Sequence, residues 1–347
     1  MTDAYTAAGV DVAAADRAVG ALVDVLRTID PGRPSRVVPL PGHYASVLRL
    51  TDTLGLAMGT DGVGSKIVVA EQAGRLDTVG VDCIAMNVND VVCVGAEPLA
   101  VLDYLAVEQA DPDALAAIAR GLKRGAEAAG VEIPGGELAV IPELIRGHPS
   151  PGGFDLCATC AGTVALDAIV TGAACAPGDA LVGLPSSGLH SNGYTLARRA
   201  LAALDLDERP AELGGATLAD ALLEPTVIYV RAVLDLLRSD VPVHGLAHIT
   251  GGGLANLRRL HAGVGWAIED PLPAPGICAL VQRHGEVSDA EMWDVFNMGC
   301  GFVCVVPQER AGDAAAVLAA HHPGARRIGT VTAEAGRITA PGYHRTA

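Results

Sequence analysis

The residues "GTDGVGSK", Gly59 to Lys66, come close to a phosphate loop. Gly59 and Gly64 stand with four residues between them, and Ser65 and Lys66 follow, but a Walker loop has its lysine before the hydroxyl residue and carries no acid in the place of Asp61. Asp61, Asp82 and Asp90 each close an apolar run beside a glycine or a small polar residue. Carboxylates so placed could hold Mg²⁺, a hard cation that binds through one or two carboxylates plus phosphate oxygens. The same acids could serve as turn and cap residues, and Lys66 could face phosphate or solvent. Asp90 lies inside the apolar run of "NDVVCVGAEP", where a carboxylate is costly to bury unless it is paired or metal-bound. Glu137 stands on a glycine turn in "PGGEL" and faces either solvent or a site.

Two further turns invite an anion. In "LPSSGLHSNGY", Ser186, Ser187, Gly188, Ser191, Asn192 and Gly193 are small donors before a helix. Backbone N–H groups there, with the helix dipole, favour phosphate. His190 in that turn could donate to phosphate, shuttle a proton, or simply be exposed. In "AHITGGGLANL", three glycines join a strand to a helix around Thr250, Gly251 and Gly252. It is not a dinucleotide fingerprint, because the spaced third glycine and the later acid are missing. Together the turns and acids point to a phosphorylated substrate and a Mg-nucleotide.

The elements that must position these groups alternate. A helix is expected over about 12–28, then a proline-rich loop that carries Arg33, Arg36 and His43. "SVLRLTDTLGLAMGTDG" reads as a hairpin, 82–94 as a buried helix ended by Gly95, and 99–107 as a strand. Asp111-Pro112 caps the next helix and Gly130 closes it. A strand follows over 154–164, and the strand–turn–helix pattern restarts beyond about residue 165. Two α/β domains are expected, 1–165 and 166–347.

The formal charge of −16 and the pI of about 4.9 argue against a nucleic-acid or anionic-membrane partner. No apolar run nears the roughly 20 residues of a membrane span, and the early acids do not suit a signal peptide, so a cytoplasmic home is expected. Eight cysteines in so long a chain suggest no disulfide framework. Cys157 and Cys160 have zinc-like spacing but lie in "FDLCATCAGTV", which reads as a buried strand with no second pair nearby.

"GTDGVGSK", "DCIAMNVNDVVCVGAEP", "GGE", "SSGLHSNGY", "HITGGG" and "FNMGCG" occur in an order and spacing that resemble the aminoimidazole ribonucleotide synthetase (phosphoribosylformylglycinamidine cyclo-ligase) family. The likeness runs from Ala7 to the last strands. Asp90 to Pro98 marks a wider superfamily with selenophosphate synthetase, thiamine-monophosphate kinase, a hydrogenase-maturation dehydratase and formylglycinamide ribonucleotide amidotransferase. The resemblance implies an α+β variant of the two-domain layout, with the first domain pairing in a homodimer to form a β-barrel and the second an α/β sandwich. It implies that ATP phosphorylates the formyl oxygen of formylglycinamidine ribonucleotide, after which the substrate's own nitrogen closes the imidazole ring.

Carried over by motif, His190, Asp61, Asp90 and Asn192 would be catalytic. Asp61, Gly62, Lys66, Asp82, Asn89, Glu137 and His43 would meet ATP, with Mg²⁺ on Asp61, Asp82 and Asp90. Ser187, His190, Ser191, Asn192, Thr250, Gly251 and Gly252 would hold the ribonucleotide. "GHYA" and "GGELAVIPE" replace the commoner bacterial loops and look like the archaeal branch; Arg33, Arg36 and His43 could take over phosphate contacts there. The alternative is a paralogue that applies the same phosphoryl activation to another substrate. A regulator without turnover is a third reading, against which the retained acids, His190 and Asn192 argue.

Overall fold

The computed structural model describes residues 12–346. Ala7 to Asp11, where the family likeness begins, lie outside the described residues. After the helix Val12–Leu26, the first half of the chain folds as β1 (Val37–Val38), β2 (Ser46–Arg49), β3 (Leu54–Gly62), β4 (Glu97–Val107), β5 (Glu132–Val140) and β6 (Phe154–Ala165). They form one six-stranded sheet in the order β1-β2-β3-β6-β4-β5. The hairpin β2–β3 turns where the Thr51 hydroxyl accepts from Leu54 N at 3.0 Å.

The helix Val79–Val92 packs on the inner face of this sheet and buries nearly every residue. It also meets the helix Pro112–Ala129 at very short range. A Cβ on Gly80 would lie 2.3 Å from Leu122 N, and one on Gly121 would lie 2.2 Å from Asp77 O, so only glycine lets these backbones touch. Asp111 caps Pro112–Ala129 through Asp113 N and Ala114 N, and Gly130 ends it in the left-handed conformation, as its sequence predicts.

The second half carries β7 (Ala180–Pro185), β8 (Gly245–His248), β9 (Gly265–Ile268), β10 (Cys300–Val306), β11 (Arg326–Thr332), β12 (Ile338–Ala340) and β13 (Tyr343–Arg345). They form a seven-stranded sheet in the order β13-β12-β9-β11-β7-β10-β8. The structure is mixed α/β, but alternation of strands and helices did not produce parallel sheets. Only β4 with β5, joined by a helical crossover, and β12 with β9 run parallel among the described strands; the other pairs are antiparallel. Cys157 and Cys160 lie in β6 as unpaired cysteines.

The halves share a core. Val63, Ile67 and Val88 of the first pack in one cluster with Leu189, Leu223 and Phe296 of the second. Burial of such side chains, at about 1.5–3 kcal/mol each, fixes the faces that carry the polar groups described next.

Candidate active site

Asp61 is the last residue but one of β3. Its backbone is gripped by Asn87: the side-chain Oδ1 accepts from Asp61 N at 3.0 Å, and Nδ2 donates to Asp61 O at 3.1 Å and to Cys83 O at 2.8 Å. The Asp61 carboxylate accepts from Gly62 N at 2.7 Å. Burial, and then the charge of Asp90, raises its pKa against the opposing pull of that N–H, His248 and Arg259.

Asp90 comes from the helix Val79–Val92, with a side chain 19% exposed, and its Oδ1 lies 2.8 Å from Nδ1 of the fully buried His248. The second ring nitrogen of His248 lies 3.4 Å from Asn89 Nδ2. Both contacts are met by one tautomer, with Nδ1–H donating to Asp90 and Nε2 accepting from Asn89. Asn89 is otherwise engaged with the second half, donating to Val227 O at 2.8 Å and accepting from Tyr229 N at 2.9 Å. It is an anchor between the halves and is fully buried, so in this structure it offers no group to a nucleotide.

His43 reaches the same place from the proline-rich loop. Both ring nitrogens are shut off from solvent and have no hydrogen-bond partner. Burial and the charge of Arg259 lower its pKa to about 4, against the pull of Asp90, so the ring is neutral at pH 7. Tyr44 stacks edge-on against it at 5.7 Å, donates its hydroxyl to Asn256 O at 3.0 Å, and lies 5.0 Å beneath the Arg259 guanidinium. The notch therefore brings together Asp61, Asp90, His43 and Tyr44 of the first half with His248 and Arg259 of the second.

The Thr250–Gly253 turn is held by Asn256, whose Nδ2 donates to Gly253 O at 2.9 Å and Gly251 O at 3.2 Å. A Cβ on Gly251 would come within 3.2 Å of Asn192 Oδ1, so this turn and the Asn192 amide are neighbours. Thr250, Gly252 and Asn192 are half-buried, and Gly251 is exposed.

Six other expected site residues are occupied differently. Lys66 is fully buried, and its Nζ lies 2.8 Å from Asp82 Oδ2 and 3.0 Å from Oδ1. It donates also to His190 O at 3.0 Å and Glu224 O at 2.7 Å. Asp82 accepts further from Thr226 N at 2.8 Å and Thr226 Oγ1 at 2.6 Å. Burial draws the lysine pKa down and the aspartate pKa up, and each charge opposes the other's shift. Here neither residue faces a phosphate or a metal; the pair is a strut between the halves. His190 is 1% exposed with a positive φ of 61°, and burial, followed by the charges of His248 and Lys66, keeps its imidazole neutral. Its Nε2 accepts from Ser187 N at 3.3 Å. The Ser187 and Ser191 hydroxyls donate to Pro225 O at 2.6 Å and Val63 O at 2.7 Å. Glu137 is exposed on the edge strand β5, paired in register with Tyr104 and separated from β3 by two strands.

Among the described residues no three His, Cys, Asp or Glu side chains converge on a metal cage. Asp61 and Asp90 still fit Mg²⁺, which keeps most of its waters and phosphate oxygens and asks for only one or two carboxylates. A larger cavity of about 490 Å³ between Glu71, Asp111 and Phe154 holds none of these groups and is lined mainly by carbon.

The comparisons agree over most of the chain. The models for the N-terminal and C-terminal domains of AIR synthase related proteins match residues 42–164 and 176–340. A phosphoribosylformylglycinamidine cyclo-ligase of Methanothermobacter thermautotrophicus is 46% identical over 333 residues, 94% of each chain. That of Thermococcus gammatolerans is 47% identical over 96% of each. The chain belongs to the phosphoribosylformylglycinamidine cyclo-ligase family. Among solved structures, the hydrogenase maturation protein HypE in complex with ATP matches with a TM-score of 0.60 at 24% identity, over 89% of each chain. Thiamine monophosphate kinase from Aquifex aeolicus matches at 0.62 and 17%, over 95% of this chain and 97% of that one. At such identity these two speak for the fold alone. The relatives are archaeal cyclo-ligases, in line with the "GHYA" and Pro-Glu features.

For this cyclo-ligase family member the sequence reading missed His248, Tyr44, Asn87, Asn256 and Arg259. His248 stood in the quoted "AHITGGG" and Tyr44 in "GHYA", but their partners lie more than 150 residues away. Asn87 had a local signal, as a polar residue one turn after Cys83 in an apolar helix.

Proposed function

We propose that the chain closes the imidazole ring of aminoimidazole ribonucleotide from formylglycinamidine ribonucleotide at the expense of ATP. What supports the reading is identity of 46–47% to cyclo-ligases over at least 94% of both chains, together with a notch that joins two carboxylates, the unpartnered imidazole of His43 and the guanidinium of Arg259. ATP transfers its γ-phosphoryl group to the formyl oxygen, which turns that oxygen into a leaving group. The substrate's amidine-side nitrogen attacks the same carbon, phosphate departs, and a proton is lost. Nothing in this sequence of bonds needs a protein nucleophile, so the protein's part is positioning and charge stabilisation.

Asp61 and Asp90 are the residues that would hold Mg²⁺, and the ion when bound neutralises charge on the transferring phosphoryl group. His248 orients Asp90. Arg259 offsets phosphate charge. His43, neutral and unpartnered on both nitrogens, is placed to accept the proton lost at ring closure; a bound phosphate beside it would cancel the effect of Arg259 and raise its basicity. Asn192 and the Thr250–Gly253 turn face the ribonucleotide. Lys66, Asp82, Asn89, Ser187, Ser191 and His190 set the frame behind these groups.

We propose domains at 1–165 and 166–347, a division supported by the end of the first sheet's last strand at Ala165. A cytoplasmic home follows from the reaction, and no described helix is long and apolar enough to cross a membrane. A homodimer is proposed on the outer face of the first sheet, where Leu102 and Tyr104 are 52% and 41% exposed. Glu137 shares that face, and a second copy packed there would bring it to a nucleotide.

The deciding experiment supplies formylglycinamidine ribonucleotide, ATP and Mg²⁺ and follows aminoimidazole ribonucleotide and ADP, which should appear in equal amounts. ATP turnover raised only by a different amide or phosphate acceptor would replace this reading by the paralogue one.

A further inference from the structure

Beside the notch lies a cavity of about 440 Å³ between Pro39–His43, Thr171 and Arg258–Ala262. Its charge is unusual for this chain. Acids outnumber Lys and Arg 40 to 24, and ten of the 22 arginines pair with one of them. Arg258 and Arg259 both line this cavity and have no ion-pair partner among the described residues. Arg258 Nε and Nη2 are cut off from solvent and make no hydrogen bond. A guanidinium so placed loses water without gaining an acceptor, a cost that an anion in the cavity would remove. Arg259 lies over the Tyr44 ring, 5.0 Å from its centroid. His43, also without a partner, belongs to both the cavity and the notch, so the two spaces meet at its ring.

We propose that this cavity seats a phosphate monoester, with Arg258 as its principal counter-cation and Arg259 as the second. Given the cyclo-ligase reading, on which the choice of ligand rests, the monoester is the 5′-phosphate of the ribonucleotide, and its reacting end extends past His43 toward Asp61 and Asp90. Arg fits the task because its planar fork meets phosphate through two parallel N–H donors. Thr171 already accepts from Ala173 N at 3.2 Å, which leaves its hydroxyl proton for the phosphate.

The test compares the full chain with Arg258→Met, which keeps the stem and removes the charge, and with Arg258→Lys. Ribose 5-phosphate and ribose serve as probes by calorimetry, independent of turnover. Ribose 5-phosphate should bind and ribose should not. Arg258→Met should weaken binding roughly 10- to 100-fold, as loss of a charge-assisted pair implies, with Arg258→Lys in between. In the coupled assay, KM for formylglycinamidine ribonucleotide should rise by a similar factor while KM for ATP holds. Equal binding of ribose 5-phosphate by wild type and Arg258→Met overturns the proposal. If binding follows the proposal but no imidazole forms, the phosphate seat stands and the cyclo-ligase reading falls. Should Arg258→Met fail to fold, Arg258→Lys and Thr171→Val give the same comparison.

Discussion

Two places in this molecule bring an aspartate of the first half against cationic or polar groups of the second. At Lys66–Asp82 the two charges answer each other inside the protein, both side chains are fully buried, and two backbone carbonyls complete the set around the ammonium. At Asp61–Asp90 the carboxylates have one N–H and one imidazole between them, while His43 and Arg258 carry buried nitrogens without a hydrogen-bond partner and the exposed Arg259 has no acid partner among the described residues. The residue types are almost the same. What differs is whether the donors and acceptors balance, and an unbalanced group that is shielded from water implies a missing ligand. The first place is architecture by this criterion, and the second is the candidate site.

The sharpest way to break the contrast is Lys66→Met, which strands a buried carboxylate. It should cost about 3–5 kcal/mol in a denaturant titration, and Lys66→Met with Asp82→Leu should recover much of that loss. Full stability of the single variant would refute the strut. Next, Asp90→Asn should leave stability nearly intact but reduce turnover by about 10²–10³, the usual result of removing a group aimed at developing charge. Asp61→Asn should behave alike and weaken Mg-ATP binding, whereas Asp82→Asn should act on stability instead. Calorimetry with Mg-ATP separates the three.

The notch should also show itself in acid. His43 has a folded pKa of about 4 against 6.5 in the unfolded chain, so between those values the unfolded state binds the extra proton and stability falls as pH falls. The loss is full near pH 4, at about 3 kcal/mol at most, and absent above 6.5. Urea midpoints across this range should flatten in His43→Phe; an unchanged slope would remove His43 as the source. The smallest effect is expected at the outer face. Glu137→Gln should lower turnover about tenfold through one carboxylate contact, and only while the dimer holds. Leu102→Asp, read by light scattering, should give monomers in which Glu137→Gln no longer matters.

Local chemistry was well marked in the sequence. The hairpin, the apolar helix around Asp82 and Asp90, and the Asp111-Pro112 cap depend on neighbours, and neighbours are written consecutively. The strand β5 was not read, because "EIPGGELAV" looks like a turn; at a sheet edge its Pro134 and glycines are tolerated. Alternation of strands and helices also says nothing of which strands pair, so the largely antiparallel sheets stayed hidden. Within the site, Asp61 and Asp90 could be picked out by their odd company of glycines and apolar residues. The balance at Lys66 could not, since it depends on His190 O and Glu224 O, more than a hundred positions downstream.

The strut also limits how the enzyme can move. A hinge between the halves would have to pull the Lys66 ammonium from two carbonyls and expose a dry ion pair at each turnover. The faces of the cleft thus behave as a fixed notch, and opening falls to the segment that carries His43. Substrate exchange should accordingly track the motion of that proline-rich loop while the bulk of the protein stays still.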